Sequence, residues 1–477
     1  MDAEGAHLFR HALMRDAAYE LQPPAQRAVL HAHALEIIEQ AFADDDTALD
    51  AQALELANHA AAAGEPRGPF GARECEWLMR AAKFAHNKWR VAEAAALYAR
   101  AAGHPAIDGA ERMRAIGAQG MALVELGHMH AAIEVLEQSA DRADVSEEVL
   151  RPLCYACRNI GRLDDALRYA RRLVTAAEVG GNAERLALAL DAEAMALFAM
   201  NRTADALPVA QAACAHAAAS GNASVHGGIM ANLGVVQTRA CANTDVIATL
   251  RVALAILEVT PDRRTTAAVR RNLADRMRVA GPSHEAVHEC TRALHEMRAL
   301  GDRRGEAMAL LTLGGLYDEL GDPVVAIEIL RQSMDRLRET GDMGILSFAQ
   351  ATLARALRNS GRADEARPAA LEALTLAQSS GSGPGVAFSA LVLGDIAREA
   401  RCWRDAAEWY RRAHKGYQAI SDYERAAVML AEAAHAMLHA GDDAENICSQ
   451  AAEAMRAHAP KALQRYEDKW RAARAKS

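Results

Sequence analysis

The sequence predicts an all-α chain laid out as a linear array of helix pairs, an α-solenoid of about 8–10 pairs behind a short N-terminal helical segment. Three observations carry that prediction. The 477-residue chain is 51% hydrophobic yet only 4% aromatic, and Ala and Leu supply most of the apolar content, which suits closely packed helices and starves a sheet of aromatic residues. Turn-forming dipeptides recur every 40 residues. Two columns of small residues recur at the same step.

The turns set the elements. Gly301-Asp302 and Gly341-Asp342 extend to Gly181-Asn182, Gly221-Asn222, Pro261-Asp262, Gly381-Ser382 and Ser421-Asp422, all of them helix-stop or turn pairs. A second series lies halfway between: Gly161-Arg162, Asn201-Arg202, Gly281-Pro282, Gly321-Asp322, Gly361-Arg362 and Gly441-Asp442, with Cys241 and Arg401 in the remaining slots. Each unit is therefore helix, tight turn, helix, tight turn, with helices of roughly 15–18 residues. On the first helix one position reads Cys154, Ala194, Gly234, Ala274, Gly314, Ala354, Gly394, Ala434. Twelve residues later the second helix reads Ala166, Ala206, Val246, Ala286, Ala326, Ala366, Ala406, Asn446. Facing columns of small residues let paired helices approach closely, and Leu233, Leu273, Leu313, Leu353 and Leu393 fill the seam.

In chain order, residues 1–64 fall outside this phase and read as two or three helices: around Leu8–Leu21, from Ala25 to about Phe42, and a shorter one after the acidic break Asp44-Asp45-Asp46 up to Gly64. Residues 65–73 read as a linker with Pro and Gly punctuation. Residues 74–460 hold the array, opening with two fainter pairs at Ala82, Ala94, Tyr98, Ala101 and at Gly120, Ala132, Leu136. Residues 461–477 read as a capping helix with a basic tail.

The segment Leu313-Gly314-x-x-Tyr317 followed by Ala326, Leu330 and Ser333, repeated as Leu393-Gly394, Ala406, Tyr410 and Ala413, resembles the tetratricopeptide repeat. Two departures stand out: the step is 40 rather than the usual 34 residues, and the Tyr column is replaced at Cys157, Gln237, Met277 and Leu357. The longer step resembles the extended-helix variety of large bacterial regulators and scaffold proteins. That resemblance implies a right-handed superhelix whose first helices line a groove for a protein or peptide. The string Phe9-Arg10-His11-Ala12-Leu13-x-Arg15-Asp16-Ala17-Ala18-Tyr19, with Arg27, Leu30 and His31, resembles the junction between ATPase module and repeat array in large bacterial signalling ATPases. It implies an ATPase or kinase module encoded upstream or acting in trans, the chain being the sensor-and-scaffold part or a stand-alone relative. None of the lysines (Lys83, Lys88, Lys415, Lys461, Lys469, Lys476) follows a glycine, so no phosphate-binding loop is encoded here.

Other classes are disfavoured. A net charge of −9 gives no reason to expect direct nucleic-acid binding. No apolar run approaches the ~18 residues of a membrane helix, the first residues lack signal-peptide order, and the cysteines are dispersed, so a cytoplasmic protein with reduced thiols is expected. His284-Glu285-Ala286-Val287-His288 matches the His-Glu-x-x-His letters of zinc hydrolases. Ala286 belongs to the small column, Ser283 reads as an N-cap and Glu285 as a first-turn acid, so the repeat accounts for the string. Cys154 and Cys157 fall at packing columns and read as buried thiols. No catalytic, metal or cofactor residues are assigned, and no enzymatic activity is expected.

The groove is the stronger candidate. Counting from the small column, its slots hold Arg151, Tyr155, Arg158, Asp191, Arg239, Arg271, Asp275, Arg278, Asp318, Glu319, Arg355, Arg358, Asn359, Asp395, Arg398 and Glu399, with arginine in slight excess. Arg271, Arg278, Arg355, Arg358 and Arg398 are the candidate peptide-groove residues, for an acidic or C-terminal peptide gripped through Arg–carboxylate forks. The competing reading pairs these charges with one another across adjacent repeats. The functional expectation is a non-enzymatic scaffold or sensor arm of a bacterial regulatory system; a small-molecule-sensing arm of an ATP-dependent regulator is the first alternative and a zinc hydrolase at His284, Glu285 and His288 the second.

Overall fold

A computed structural model describes residues 19–140, 145–240, 245–420 and 422–475, with the side chains of Arg239 and Ala240 excepted. Among the described residues all regular secondary structure is helical. The chain divides into two compact units, Met1–Ala156 and Cys157–Ser477.

In the first unit, α1 (Pro24–Ala41), α2 (Asp46–Ala51) and α3 (Ala53–Ala63) precede α4 (Pro69–Asn87), α5 (Val91–Gly103), α6 (Gly109–Glu125) and α7 (Met129–Ala140). Residues 1–18, which hold most of the helix expected around Leu8–Leu21 and the string Phe9–Ala18, lie outside the described residues; Tyr19 and Glu20 are helical. Asp45 ends the acidic break by capping α2, its carboxylate accepting from the backbone N–H groups of Thr47 and Ala48. The segment expected to be a linker over 65–73 turns helical at Pro69, a first-turn position where the missing N–H costs nothing. The two fainter pairs share one register: Ala82 and Ala94 are buried with Tyr98, and Gly120 with Ala132 and Leu136. Leu35, Leu56, Trp77 and Leu78 complete this core.

The unit boundary falls within α8 (Glu147–Asn159). In the second unit, first and second helices alternate: α9 (Leu163–Gly180), α10 (Ala183–Ala199), α11 (Thr203–Ala219), α12 (Ala223–Ala240), α13 (Val246–Glu258), α14 (Arg263–Ala280), α15 (His284–Leu300) and α16 (Arg303–Glu319). The alternation continues through α17 (Pro323–Thr340), α18 (Met343–Asn359), α19 (Ala363–Ser379), α20 (Gly383–Glu399), α21 (Trp403–Ala419), α22 (Tyr423–His439), α23 (Glu445–His458) and α24 (Pro460–Arg474).

The two turn series solve the helix-start problem differently. Before the first helices, Asn182, Asp262, Asp302, Asp342, Ser382 and Asp422 accept a backbone N–H three residues on. Before several second helices an arginine stands at the N-cap and pairs with an acid in the first turn instead, as in Arg162–Asp165, Arg202–Asp205 and Arg362–Glu365. The slot ahead of these second helices is left-handed even where glycine is missing, with φ 59° at Asn201 and 58° at Arg401. Cys241 lies outside the described residues.

The small residues of the second helices lie inside the array. Ala166, Ala206, Ala286, Ala326, Ala366 and Ala406 are fully buried. What each first-helix small residue receives is the side chain sixteen positions on: Leu330 over Gly314 and Tyr410 over Gly394. Gly234 stands apart, since a Cβ there would sit 3.5 Å from Leu250, an ordinary contact.

Candidate functional site: the inner face of the second unit

First helices α10, α12, α14, α16, α18 and α20 touch one another in succession, besides packing on their own second helices. Their shared side therefore forms one continuous inner face in this unit. On each helix, positions seven apart return to the same side, so Arg271 and Arg278 stand together on α14 and Phe348 and Arg355 on α18.

Four of the five predicted groove arginines are engaged by carboxylates. Arg278 pairs with Asp275 at 3.0 Å and with Glu319 of α16 at 2.5 Å. Arg355 reaches back to Asp318 at 2.8 Å and Glu319 at 3.3 Å. Arg358 reaches forward to Asp395 at 2.5 Å and Glu399 at 3.5 Å. Arg398 lies 3.6 Å from Asp395 and donates to the Tyr410 hydroxyl at 3.1 Å. Burial works against the charge of Arg278, but Asp275 and Glu319 outweigh it and hold the guanidinium pKa up. Arg278, Arg355 and Arg358 therefore cross-link adjacent repeats, whereas Arg398 stays within its own helix pair. Arg271 differs: among the described residues no carboxylate stands within 4.0 Å, and its hydrogen bond goes to the side-chain oxygen of its neighbour Asn272 at 2.8 Å. Burial pulls its pKa down, with Asp275 opposing.

Further polar groups complete the lattice, and of these Asn232 was not singled out by sequence. The Asn232 amide donates to both oxygens of Asp191, at 2.9 and 3.1 Å, bridging α12 and α10. Burial still pushes the Asp191 carboxyl up to about 6. Asn359 donates to Asp318 at 2.8 Å. Tyr410, on second helix α21, reaches through the pair to donate its hydroxyl to Asp395 at 2.7 Å. Phe348 and Phe388 stack at 4.7 Å across α18 and α20, with the Arg355 guanidinium over the Phe388 ring. A phenylalanine column at the repeat step was the available signal. The Arg239 side chain lies outside the described ones.

The other chemical candidates resolve into packing. His284, Glu285 and His288 are exposed at the start of α15, where Ser283 caps the helix and Glu285 pairs with Arg251 at 2.8 Å. Among the described residues no group of three or more His, Cys, Asp or Glu side chains is arranged to hold a metal. Cys154 and Cys157 are buried. In the first unit a buried chain that spacing did not reveal links Cys75, His104 and Glu74: the thiol lies 3.0 Å from His104 Nδ1, and Nε2 lies 3.1 Å from the Glu74 carboxylate. The Ala106 N–H also points at Nδ1, so Nδ1 accepts and Nε2 carries the proton. The arrangement has the order of a nucleophile, base and orienting acid. However, Cys75 is only 2% exposed, and burial together with Glu74 pushes its thiol up to about 11, so the thiol is held neutral.

From α18 to α21 Ala354 and Ala366 are fully buried and Gly394 receives Tyr410. Residues 347–419 match the tetratricopeptide repeat family model. The matched segment contains Phe348, Arg355, Arg358, Phe388, Arg398 and Tyr410, whereas Arg271 and Arg278 precede it. No match was found among curated proteins. Among solved structures the chain is similar to a Rap protein complexed with competence and sporulation factor, at 13% identity and TM-score 0.48, covering 84% of this chain and 99% of that one. It is also similar to the apo form of RapI, at 12% identity and TM-score 0.46, covering 72% of this chain and 97% of that one. A third is a signal transduction ATPase with numerous domains and a tetratricopeptide repeat sensor from Pyrococcus horikoshii, at 14% identity and TM-score 0.42. There the similarity covers 88% of this chain and 57% of the other. Among the described residues no helix is long and apolar enough to cross a membrane.

Proposed function

We propose that the chain is a non-enzymatic interaction arm, a scaffold or sensor of a regulatory system, that holds a partner protein or peptide against the inner face of its second unit. The observation that supports this reading is the unbroken succession of touching first helices, which presents half-buried arginine, carboxylate and phenyl side chains along one side. Solenoids use such a surface for extended contacts because each repeat adds one more row of side chains to it. The partner is an acidic segment under this reading, met by guanidinium groups that already stand in a preorganised lattice.

Capture of binding partners by the immobilised chain tests it. Wild type is expected to retain a partner that an Arg271→Ala/Arg355→Ala chain, shown by circular dichroism to be equally helical, releases. If every partner stays bound to the double variant, the groove assignment is wrong.

A further inference from the structure

Two bands run across the first helices of the second unit. The charged band comprises Asp275, Arg278, Asp318, Glu319, Arg355, Arg358, Asp395 and Arg398, and it satisfies itself through the pairs described above. Seven residues toward each helix start lies a different band. Met308, Phe348, Phe388 and Val428 recur there at the 40-residue step, with Leu311 and Leu391 one turn further along α16 and α20. This band is apolar and incompletely covered: Phe348 is 37% exposed and the other five are partly exposed.

The column that holds Leu311 carries Arg271 one repeat earlier, forty residues before it. An apolar strip therefore ends at Arg271, the one of the five candidate groove arginines with no carboxylate within 4.0 Å among the described residues. A crowded guanidinium whose nearest carboxylates stand beyond 4.0 Å is a poor arrangement beside the other four candidate arginines, each of which has one within that distance. A carboxylate from outside would correct it with a short, charge-assisted bond. A strip of half-covered phenyl and aliphatic side chains likewise gains from apolar groups laid on it.

Resting on the groove reading above, we propose that this face binds an extended partner segment that lays apolar side chains along Met308–Val428 and brings a single carboxylate to Arg271. The spacing follows from the repeat. Touching helices lie about 8–10 Å apart, so Arg271 and Phe348, two repeats apart, are separated by roughly 20 Å. An extended segment rising about 3.3 Å per residue covers that in about six residues. The ligand class is thus an apolar pair and an acidic residue, or a chain-terminal carboxylate, separated by about that length.

A fluorescein-labelled peptide series tests this, each peptide carrying a Phe-Leu pair and one Glu at two to ten positions from it in a Gly/Ser background, titrated by anisotropy into the full chain. Affinity is expected to peak at a spacing of about six and to fall about tenfold when that Glu is Gln, the size of a lost charge-assisted contact. In the Arg271→Gln chain the Glu and Gln peptides are expected to bind alike, while Arg271→Lys keeps part of the preference, which a merely structural arginine would not do. Phe348→Ser should weaken both peptides together. Affinity independent of spacing, or a Glu preference that survives Arg271→Gln, overturns this inference and leaves the groove reading standing. Failure of every peptide to bind the folded wild-type chain overturns both. Concentration-dependent dimers abolished by Phe348→Ser overturn it in favour of a second copy of this chain.

Discussion

Gly314 and Gly394 look interchangeable with Gly234 in the repeat column, but their surroundings separate them. A Cβ at Gly314 would lie 2.6 Å from Leu330 Cγ, and one at Gly394 would lie 2.7 Å from Tyr410 Cδ1, both too close to be met without movement. At Gly234 the nearest atom is Leu250 Cδ2 at 3.5 Å. Gly314→Ala is therefore expected to cost about 1–3 kcal/mol by overpacking, whereas Gly234→Ala should gain roughly 0.5–1 kcal/mol from its helical backbone; paired thermal melts decide it. Asp191 supplies a pH signature. Its folded pKa of about 6 exceeds the ordinary aspartate value, so between pH ~4 and ~6 the native chain binds more protons than the unfolded one, and stability falls as pH rises through that window. The slope amounts to on the order of 1–2 kcal/mol, allowing for partial exposure. Asp191→Asn should remove it, read as the difference between wild-type and variant denaturation midpoints at pH 4, 5, 6 and 7.

At the scale of elements, the C-terminal helix behaves as a replacement first helix. α24 packs on α22, where Trp470 Nε1 donates to the Ala431 carbonyl at 3.1 Å and Tyr466 and Lys469 both reach Glu432, at 2.7 and 3.0 Å. Basic residues after Pro460 suggested a solvated cap, and the outward side of the helix is charged, but the inward side is an aromatic seam. Trp470→Ala is expected to cost about 3–5 kcal/mol, and calorimetry of that variant should show the loss. Tyr410 plays a comparable linking role inside the array, since its hydroxyl joins α21 to Asp395 and Arg398 on the inner face of α20. Tyr410→Phe should keep the packing over Gly394 and lose about 1–2 kcal/mol from the orphaned acceptor, measurable in urea.

For the second unit as a whole, contacts link each helix to its neighbours along the stack, so stability propagates by neighbour interfaces rather than through one shared core. Tyr410→Ala is therefore expected to lower amide-exchange protection in α18–α22 and to leave α10–α12 unchanged. Uniform loss across the unit would instead indicate one all-or-none transition.

The sequence by itself determined the helices, both turn series, the N-caps and the register of the small columns. These are local properties: Asp302 and Asp342 cap helices through a backbone N–H three residues away, and Ala326 faces the preceding helix because a tight turn leaves it no alternative. Within the groove, the count along each first helix named the candidate positions. It did not name their partners. Whether Arg355 meets Asp318 or open solvent depends on the rotation between helices 37 residues apart, which no local pattern encodes. The same holds for the Cys75–His104–Glu74 chain, closed by a loop about 30 residues on, and for Phe348, whose exposure depends on how much of it Phe388 covers. Tertiary structure alone decided that Arg278, Arg355 and Arg358 are consumed in cross-linking repeats and that Arg271 has no carboxylate within 4.0 Å among the described residues, because charge pairing is a matter of distances of a few ångströms between neighbouring repeats.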